Sequence, residues 1–296
     1  MDDIKKNPRE NLVIWVSFLF LAITWGSSFI LVKKSLIAFP PMIVASLRLS
    51  SAMLVVLPFS IGHFKHIPRD KFKYVVLIAF LGMGLPAFLF ALAQVGINSS
   101  MSGILNALTP CMTFLIGILF FKQKSSALKI FGLVLGFIGS ASLIFFNTKG
   151  ELHLNGYSLF VILATTMYGT NLNTTKRFAA GIKPIHLSTV SISIAGLFGL
   201  VVLLSTNFVE ILKTNPKAPF SLLTALTLGI VGTAISQTLF NNLLSKTSAF
   251  FASSITYFIP LMALVWGILD GESLSIWHYF GMLLLIGGII VINKFK

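Results

Sequence analysis

The chain is written twice, and each copy holds an odd number of apolar stretches long enough to cross a bilayer. Residues 22–49 align without gaps to 165–192, so that Trp25-Gly26 falls on Tyr168-Gly169, Lys33-Lys34 on Lys176-Arg177, and Pro41 on Pro184. Further on, Pro110, Met112 and Gly117-Ile118-Leu119 fall on Pro260, Met262 and Gly267-Ile268-Leu269. After a one-residue slip, Phe131-Gly132, Leu135 and Gly139 meet Phe280-Gly281, Leu284 and Gly288. Shared greasiness does not explain matches at proline, glycine and lysine. A repeat with an odd number of crossings enters the membrane from opposite sides in its two copies. That inverted arrangement is the architecture of many carriers that work by alternating access.

Composition supports the membrane reading. Hydrophobic residues make up 56% of the chain and charged residues 10%, too few charges to cover a water-soluble domain. A bilayer core needs roughly 20 apolar residues per helix. Ten stretches qualify, at 12–33, 40–61, 73–95, 100–121, 127–146, 156–176, 184–206, 220–243, 250–269 and 275–293. The fold class expected is therefore all-α, with ten transmembrane helices in two inverted five-helix repeats. The repeats run over 1–148 and 149–296, with a seam near Asn147-Glu151, and form one integral membrane domain. The first stretch is too long for a cleaved signal and lacks a small-residue cleavage pattern. Cys111 is the only cysteine, so no internal disulfide forms.

The formal charge of +14 invites a nucleic-acid partner, but its distribution argues for topology instead. With a cytoplasmic N-terminus, sixteen Lys and Arg fall on inner segments and five on outer ones. That positive-inside bias places both termini in the cytoplasm of an inner-membrane protein. Lys33 and Lys34 are exceptions on the outer side, read either as snorkelling at a helix end or as drawing an anionic substrate to the outer mouth. The longest connections are His63–Lys73 and Asn207–Pro219; the second, with Phe208, Val209, Ile211 and Leu212, has the makings of a short interfacial helix.

The fifth stretch carries Gly132, Gly136, Gly139 and Ser140, and the tenth carries Gly281, Gly287 and Gly288. Such spacing lets two backbones approach closely, either within the chain or across a homodimer. The run Trp25-Gly26-Ser27-Ser28-Phe29 followed by Lys33 resembles the first-helix signature of the EamA family of the drug/metabolite transporter superfamily. Thr247-Ser248-Ala249, then Pro260, Gly271-Glu272-Ser273-Leu274 and Gly281, is similar to that family's pattern at the end of each repeat. The resemblance spans both halves and implies a ten-helix bundle around a central substrate cavity. One departure is Lys122-Gln123-Lys124, which stands where the family often has Gly-Glu-Arg.

Pro110 and Pro260 lie mid-stretch at matched positions and act as helix breaks. Each removes a hydrogen bond to the carbonyl four residues back, freeing those of Asn106 and Thr256. In hydrocarbon a free carbonyl meets another helix, a water-lined cavity or a ligand; the alternative is a kink satisfied by nearby threonines. The resemblance also places these two helices at the cavity. Thr166, Thr170 and Asn173 share one helical face and Gln237 and Asn241 another, with Gln94 on a third stretch. Arg48 is the only basic side chain well inside a stretch, roughly 12 Å beyond Pro40 at 1.5 Å per residue. A cation at that depth is a functional hypothesis, with a substrate carboxylate or phosphate as partner; bonding to backbone carbonyls, in a structural role, is the other reading. The candidate substrate-binding set is Asn106, Thr109, Thr256, Tyr257, Gln94, Thr166, Thr170, Asn173, Gln237, Asn241, Arg48, Trp25 and Ser28.

All eight acids lie in loops, tails or helix ends, so no buried carboxylate is expected to relay protons, and facilitated diffusion or exchange follows. His186 and His278 lie near helix starts, and His63 and His66 read as a solvated basic loop. No metalloprotease, P-loop or nucleophile-elbow motif is present, and nothing in the sequence calls for a cofactor or metal. These features imply a carrier of a small metabolite, an exporter or facilitator of amino acids or related compounds. A sugar-phosphate or nucleotide-sugar antiporter needs more cavity cations than Arg48 alone. A membrane enzyme or lipid-handling protein needs a reactive cluster not found here.

Overall fold

The structure, a computed structural model, describes residues 8–123, 126–145, 155–246 and 255–294, without the side chains of 8–11, 143–145, 244–246, 256–257 and 293–294. The expected seam at 147–151 and the motif at 247–249 lie outside the described residues, as do the side chains of Thr256 and Tyr257. Every regular element among the described residues is helical.

Helix α1 spans Pro8–Ser35, α2 Pro41–Phe64, α5 Ala127–Phe145, α6 Ser158–Phe178 and α7 Pro184–Leu204. Helix α3 covers Arg69–Ala93 and α4 covers Ser99–Phe121. A short α8, Phe208–Thr214, precedes α9, which is assembled from Ala218–Gly229, Ile230–Ile235 and Ser236–Lys246. Helices α10, Ile255–Leu269, and α11, Ile276–Lys294, complete the fold. Proline sits in the first turn of α2, α7 and α9, where its missing N–H has no helical partner to lose.

Where they are described, the expected stretches are helical, but the helices are not equally long or hydrophobic. Six are long and apolar enough to cross a membrane, the apolar parts of α5, α10 and α11 are shorter, and α6 meets the length but not the hydropathy. Its threonines and asparagines are the reason. The protein is a multi-pass membrane protein. The short α8 lies where an interfacial helix was expected, with Phe208, Ile211 and Leu212 packed on the core and Val209 outward.

Three helices are irregular. Helix α3 contains a π-segment at Phe80–Gly84, and α9 contains one at Ile230–Ile235. Helix α4 breaks into Ser99–Asn106 and Thr109–Phe121. Pro110 therefore begins the second half of α4 as a first-turn proline, whereas its counterpart Pro260 lies inside the continuous α10.

Helix pairing follows a two-fold pattern. Helix α2 packs along α7 and α5 along α11. The contact of α1 with α10 recurs as α6 with α4, and that of α1 with α9 recurs as α6 with α3. The glycines of α5 and α11 face each other: a β-carbon at Gly132 would fall 2.8 Å from the Gly288 carbonyl oxygen. Those faces are occupied within the chain.

Candidate substrate site

The two π-segments position the best-built polar cluster in the molecule. A π-turn inserts one residue and misaligns the carbonyl ladder, so freed groups need other partners. In α9, the Thr233 hydroxyl donates to Leu228 O at 3.2 Å and Ser236 to Val231 O at 2.7 Å, each five residues back. The Gly232 carbonyl accepts the indole N–H of Trp25 at 3.2 Å. Arg48 Nε donates to the Thr233 hydroxyl oxygen at 3.0 Å, and Tyr168 lies close enough to interact with the Arg48 charge.

This cluster joins α1, α2, α6 and α9, and its parts are related by the duplication. Trp25 and Tyr168 are matched residues, as are Ser28 and Asn171. A β-carbon at Gly232 would fall 3.3 Å from the Ser28 hydroxyl, and one at Gly82 would fall 2.7 Å from the Asn171 amide nitrogen. Each π-segment is thus approached at its glycine by the same face of the matched helix. Arg48 breaks the symmetry, since its counterpart is the buried Ser191.

Arg48 sits among α1, α2, α6 and α9 and is only partly buried. All ion pairs among the described residues lie elsewhere. A guanidinium with one N–H fixed on Thr233 and no carboxylate partner is suited to receive a planar anion, for which arginine offers a bidentate fork.

The remaining expected site residues divide sharply. Trp25 and Ser28 stand at the cluster, and Gln237 lies one turn beyond Thr233 on the same face of α9. Asn241, two turns beyond, bonds the Ser188 hydroxyl on α7. Thr166 and Thr170 turn their hydroxyls onto carbonyls of their own helix, Ile162 O at 2.8 Å and Thr166 O at 2.9 Å. Asn173 accepts from Gln123 Nε2 at 2.8 Å and donates to Thr113 O on α4 and to Gly169 O on its own helix, both at 2.9 Å, so it joins α6 to α4 and to Gln123 just beyond its end. The Thr109 hydroxyl donates to the freed Asn106 carbonyl at 2.8 Å, the local arrangement that was one of the two alternatives for this break. Gln94 stands at the end of α3 beside the α1–α2 turn, where it borders a cavity of about 440 Å³ with Phe39 and Pro40.

Two expectations change. Lys33 and Lys34 neither snorkel nor stand free. Lys33 reaches Asp270 and Glu272 at 2.7 Å each, and Lys34 pairs with Asp270. Glu272 is a buried carboxylate, against the expectation that none exists, with 3% of its side chain exposed. It accepts the Ser99 and Ser100 amides at 3.0 and 2.9 Å and their hydroxyls at 2.7 and 2.5 Å. Burial opposes its ionisation, but hydrogen bonds from Lys33, Ser100 and Ser99 prevail and hold its pKa down to about 2. It therefore stays ionised near neutral pH. His278 is buried and its ring Nδ1 accepts the Ser275 amide at 2.9 Å. The His186 ring lies tilted against those of His63 and His66, with centroids 4.5 Å from each. No group of three or more His, Cys, Asp or Glu able to hold a metal occurs among the described residues.

Sequence reasoning missed Thr233 and the π-segments. The available signal was the pair Gly82 and Gly232, set apart by the same interval as Pro110 and Pro260.

Comparison with known proteins places this geometry in context. The profile of the EamA-like transporter family matches residues 13–145 and 155–294. The chain is 25% identical to "Uncharacterized transporter in trpA 3'region" of Buchnera aphidicola subsp. Schlechtendalia chinensis, over 86% of each chain. It is 23% identical to "Probable amino-acid metabolite efflux pump" of Salmonella typhimurium, over 92% of each. To "Uncharacterized inner membrane transporter YedA" of Escherichia coli K12 it is 24% identical, over 97% of this chain and 93% of that one. A solved crystal structure with 15% identity superposes with a TM-score of 0.61, over 94% of this chain and 96% of the other, a likeness of fold.

Proposed function

Because the chain belongs to the EamA-like transporter family, we propose that it is an alternating-access carrier of small metabolites, an exporter or facilitator of amino acids or related compounds. Arg48 carries this reading. It is a basic side chain in the middle of a membrane-spanning helix, held by Thr233 and without an ion-pair partner among the described residues. The substrate's carboxylate is the natural partner for that charge, and Trp25 and Tyr168 offer apolar walls. The probable efflux pump from Salmonella typhimurium favours an amino-acid metabolite over other classes.

The two halves act in this reading as inverted five-helix repeats, with the π-segments of α3 and α9 as yielding points on either side of the site. The recurring helix pairs support that arrangement. The basic bias toward one face and the inner-membrane relative YedA support an inner-membrane location with both termini in the cytoplasm. With Glu272 held ionised, exchange or facilitated diffusion fits better than proton coupling.

A ligand-stability screen of the purified protein tests the substrate class. Ligand binding stabilises by mass action, about 2.7 kcal/mol at a hundredfold excess over Kd. Amino acids are expected to raise Tm in the wild type and to lose that effect in Arg48→Gln. A rise with sugar phosphates instead, or an amino-acid effect unchanged in Arg48→Gln, contradicts the assignment.

A further inference from the structure

Next to the π-segment of α9, the molecule has a concavity. A groove of about 720 Å³ runs between α2, α7 and α9, walled by Val55, Phe59, Ile235 and Leu239 and closed at one end by His63 and Lys183. Of its polar lining, Thr238 donates to Ala234 O at 2.8 Å, and Thr189 donates to Ile185 O at 2.9 Å and meets His63 Nδ1 at 2.8 Å, so the wall is mostly apolar, with Asn242 the remaining polar residue. Val55, Phe59 and Ile235 are exposed, which in a membrane protein means that the groove opens sideways to the bilayer.

The closed end has the opposite chemistry. The His63 ring lies tilted against that of His186, centroids 4.5 Å apart, and its Nδ1 shares a hydrogen bond with the Thr189 hydroxyl at 2.8 Å; Lys183 also lines the groove, and no carboxylate pairs with any of these groups among the described residues. The same end of the bundle carries Lys65, Arg69, Lys71, Lys73, Lys176 and Arg177. A charged head therefore has a basic receptor, and a hydrocarbon chain has an apolar trough leading into it.

We propose that this groove binds an anionic phospholipid, with an acyl chain along Val55, Phe59, Ile235 and Leu239 and the headgroup phosphate at His63 and Lys183. Attraction of anionic headgroups to basic residues at a membrane surface supplies the selectivity, and burial of the chain supplies sequence-independent affinity. Ile235 belongs to the π-segment of α9, so the lipid leans on one of the two irregular turns beside the Arg48 cluster.

Thermal melting of the purified full chain in uncharged detergent tests this, with added dioleoyl phosphatidylglycerol, dioleoyl phosphatidylcholine or inorganic phosphate. Phosphatidylglycerol is expected to raise Tm saturably, at a half-saturating concentration at least tenfold below that of phosphatidylcholine; phosphate alone is expected to do nothing. The double variant His63→Gln/Lys183→Gln is expected to erase the preference between the two lipids, and Val55→Trp, which fills the groove at an exposed position, to weaken both responses. Equal half-saturation for the two lipids in the wild type, a phosphate effect matching that of the lipid, or a preference retained in the double variant overturns the proposal. None of these readouts depends on transport.

Discussion

Arg48 and Glu272 show two ways of keeping a charge out of water. Glu272 is matched on every side, by Lys33, two amides and two hydroxyls, so its charge is structural: it ties the ends of α1 and α4 to the α10–α11 turn. Its folded pKa, about 2, lies below the usual 4.5. Stability from that shift is complete above the unfolded pKa and is lost as pH falls from about 4.5 toward 2; Asp270, also lowered, chiefly by hydrogen bonds from Lys33 and Lys34, acts in the same direction. The total is on the order of 3 kcal/mol for Glu272. Melting in detergent across pH 2–7 is expected to show wild-type Tm dropping below pH 4.5. Glu272→Gln should start lower at neutral pH and lose less on acidification. Parallel pH curves for the two proteins contradict the pairing. Arg48 was legible from the sequence because depth alone singles it out. The partners of Lys33 were not, since Asp270 and Glu272 lie more than two hundred residues along the chain and nothing local marks the pairing.

At the scale of elements, hydropathy revealed where helices run but not where they deviate. A π-turn adds one residue to a helix and leaves its average hydropathy unchanged, so Phe80–Gly84 and Ile230–Ile235 gave no compositional signal. Pro110 and Pro260 look equivalent in sequence and differ in outcome because Thr109 folds its hydroxyl onto Asn106 O, allowing α4 to break and restart. The pairing of α5 with α11 was legible, because glycines four apart imply close backbones. That pairing makes a specific prediction. A β-carbon at Gly288 would meet the backbone of Gly132 and Gly136, whereas one at Gly287 meets only Leu135 at an ordinary 3.7 Å. Gly288→Ala is expected to destabilise by about 1–3 kcal/mol, as overpacking does, with Gly287→Ala near neutral. Similar melting temperatures for the two variants contradict the close crossing.

Over the whole molecule, duplication supplies two matched frames and divergence supplies the chemistry. Trp25 and Tyr168 keep the symmetry of the cluster, while Arg48 against Ser191 and Thr233 against Met83 break it. At the helix ends the halves diverge again: Glu272 anchors an ionic clasp in one repeat, and Gln123 makes a neutral bond to Asn173 in the other. The all-helical class and the apolar stretches could be read from the sequence, but which polar residues converge could not, because that depends on packing between helices far apart in the chain. The account stands on one site, centred on Arg48 and reached from each side in turn. Counterflow in proteoliposomes loaded with the unlabelled amino acid that stabilises the protein tests it most directly. The account predicts saturable, transient accumulation of the labelled compound by the wild type and a loss of at least tenfold in Arg48→Gln; flux that rises linearly with concentration, or undiminished exchange in Arg48→Gln, contradicts it.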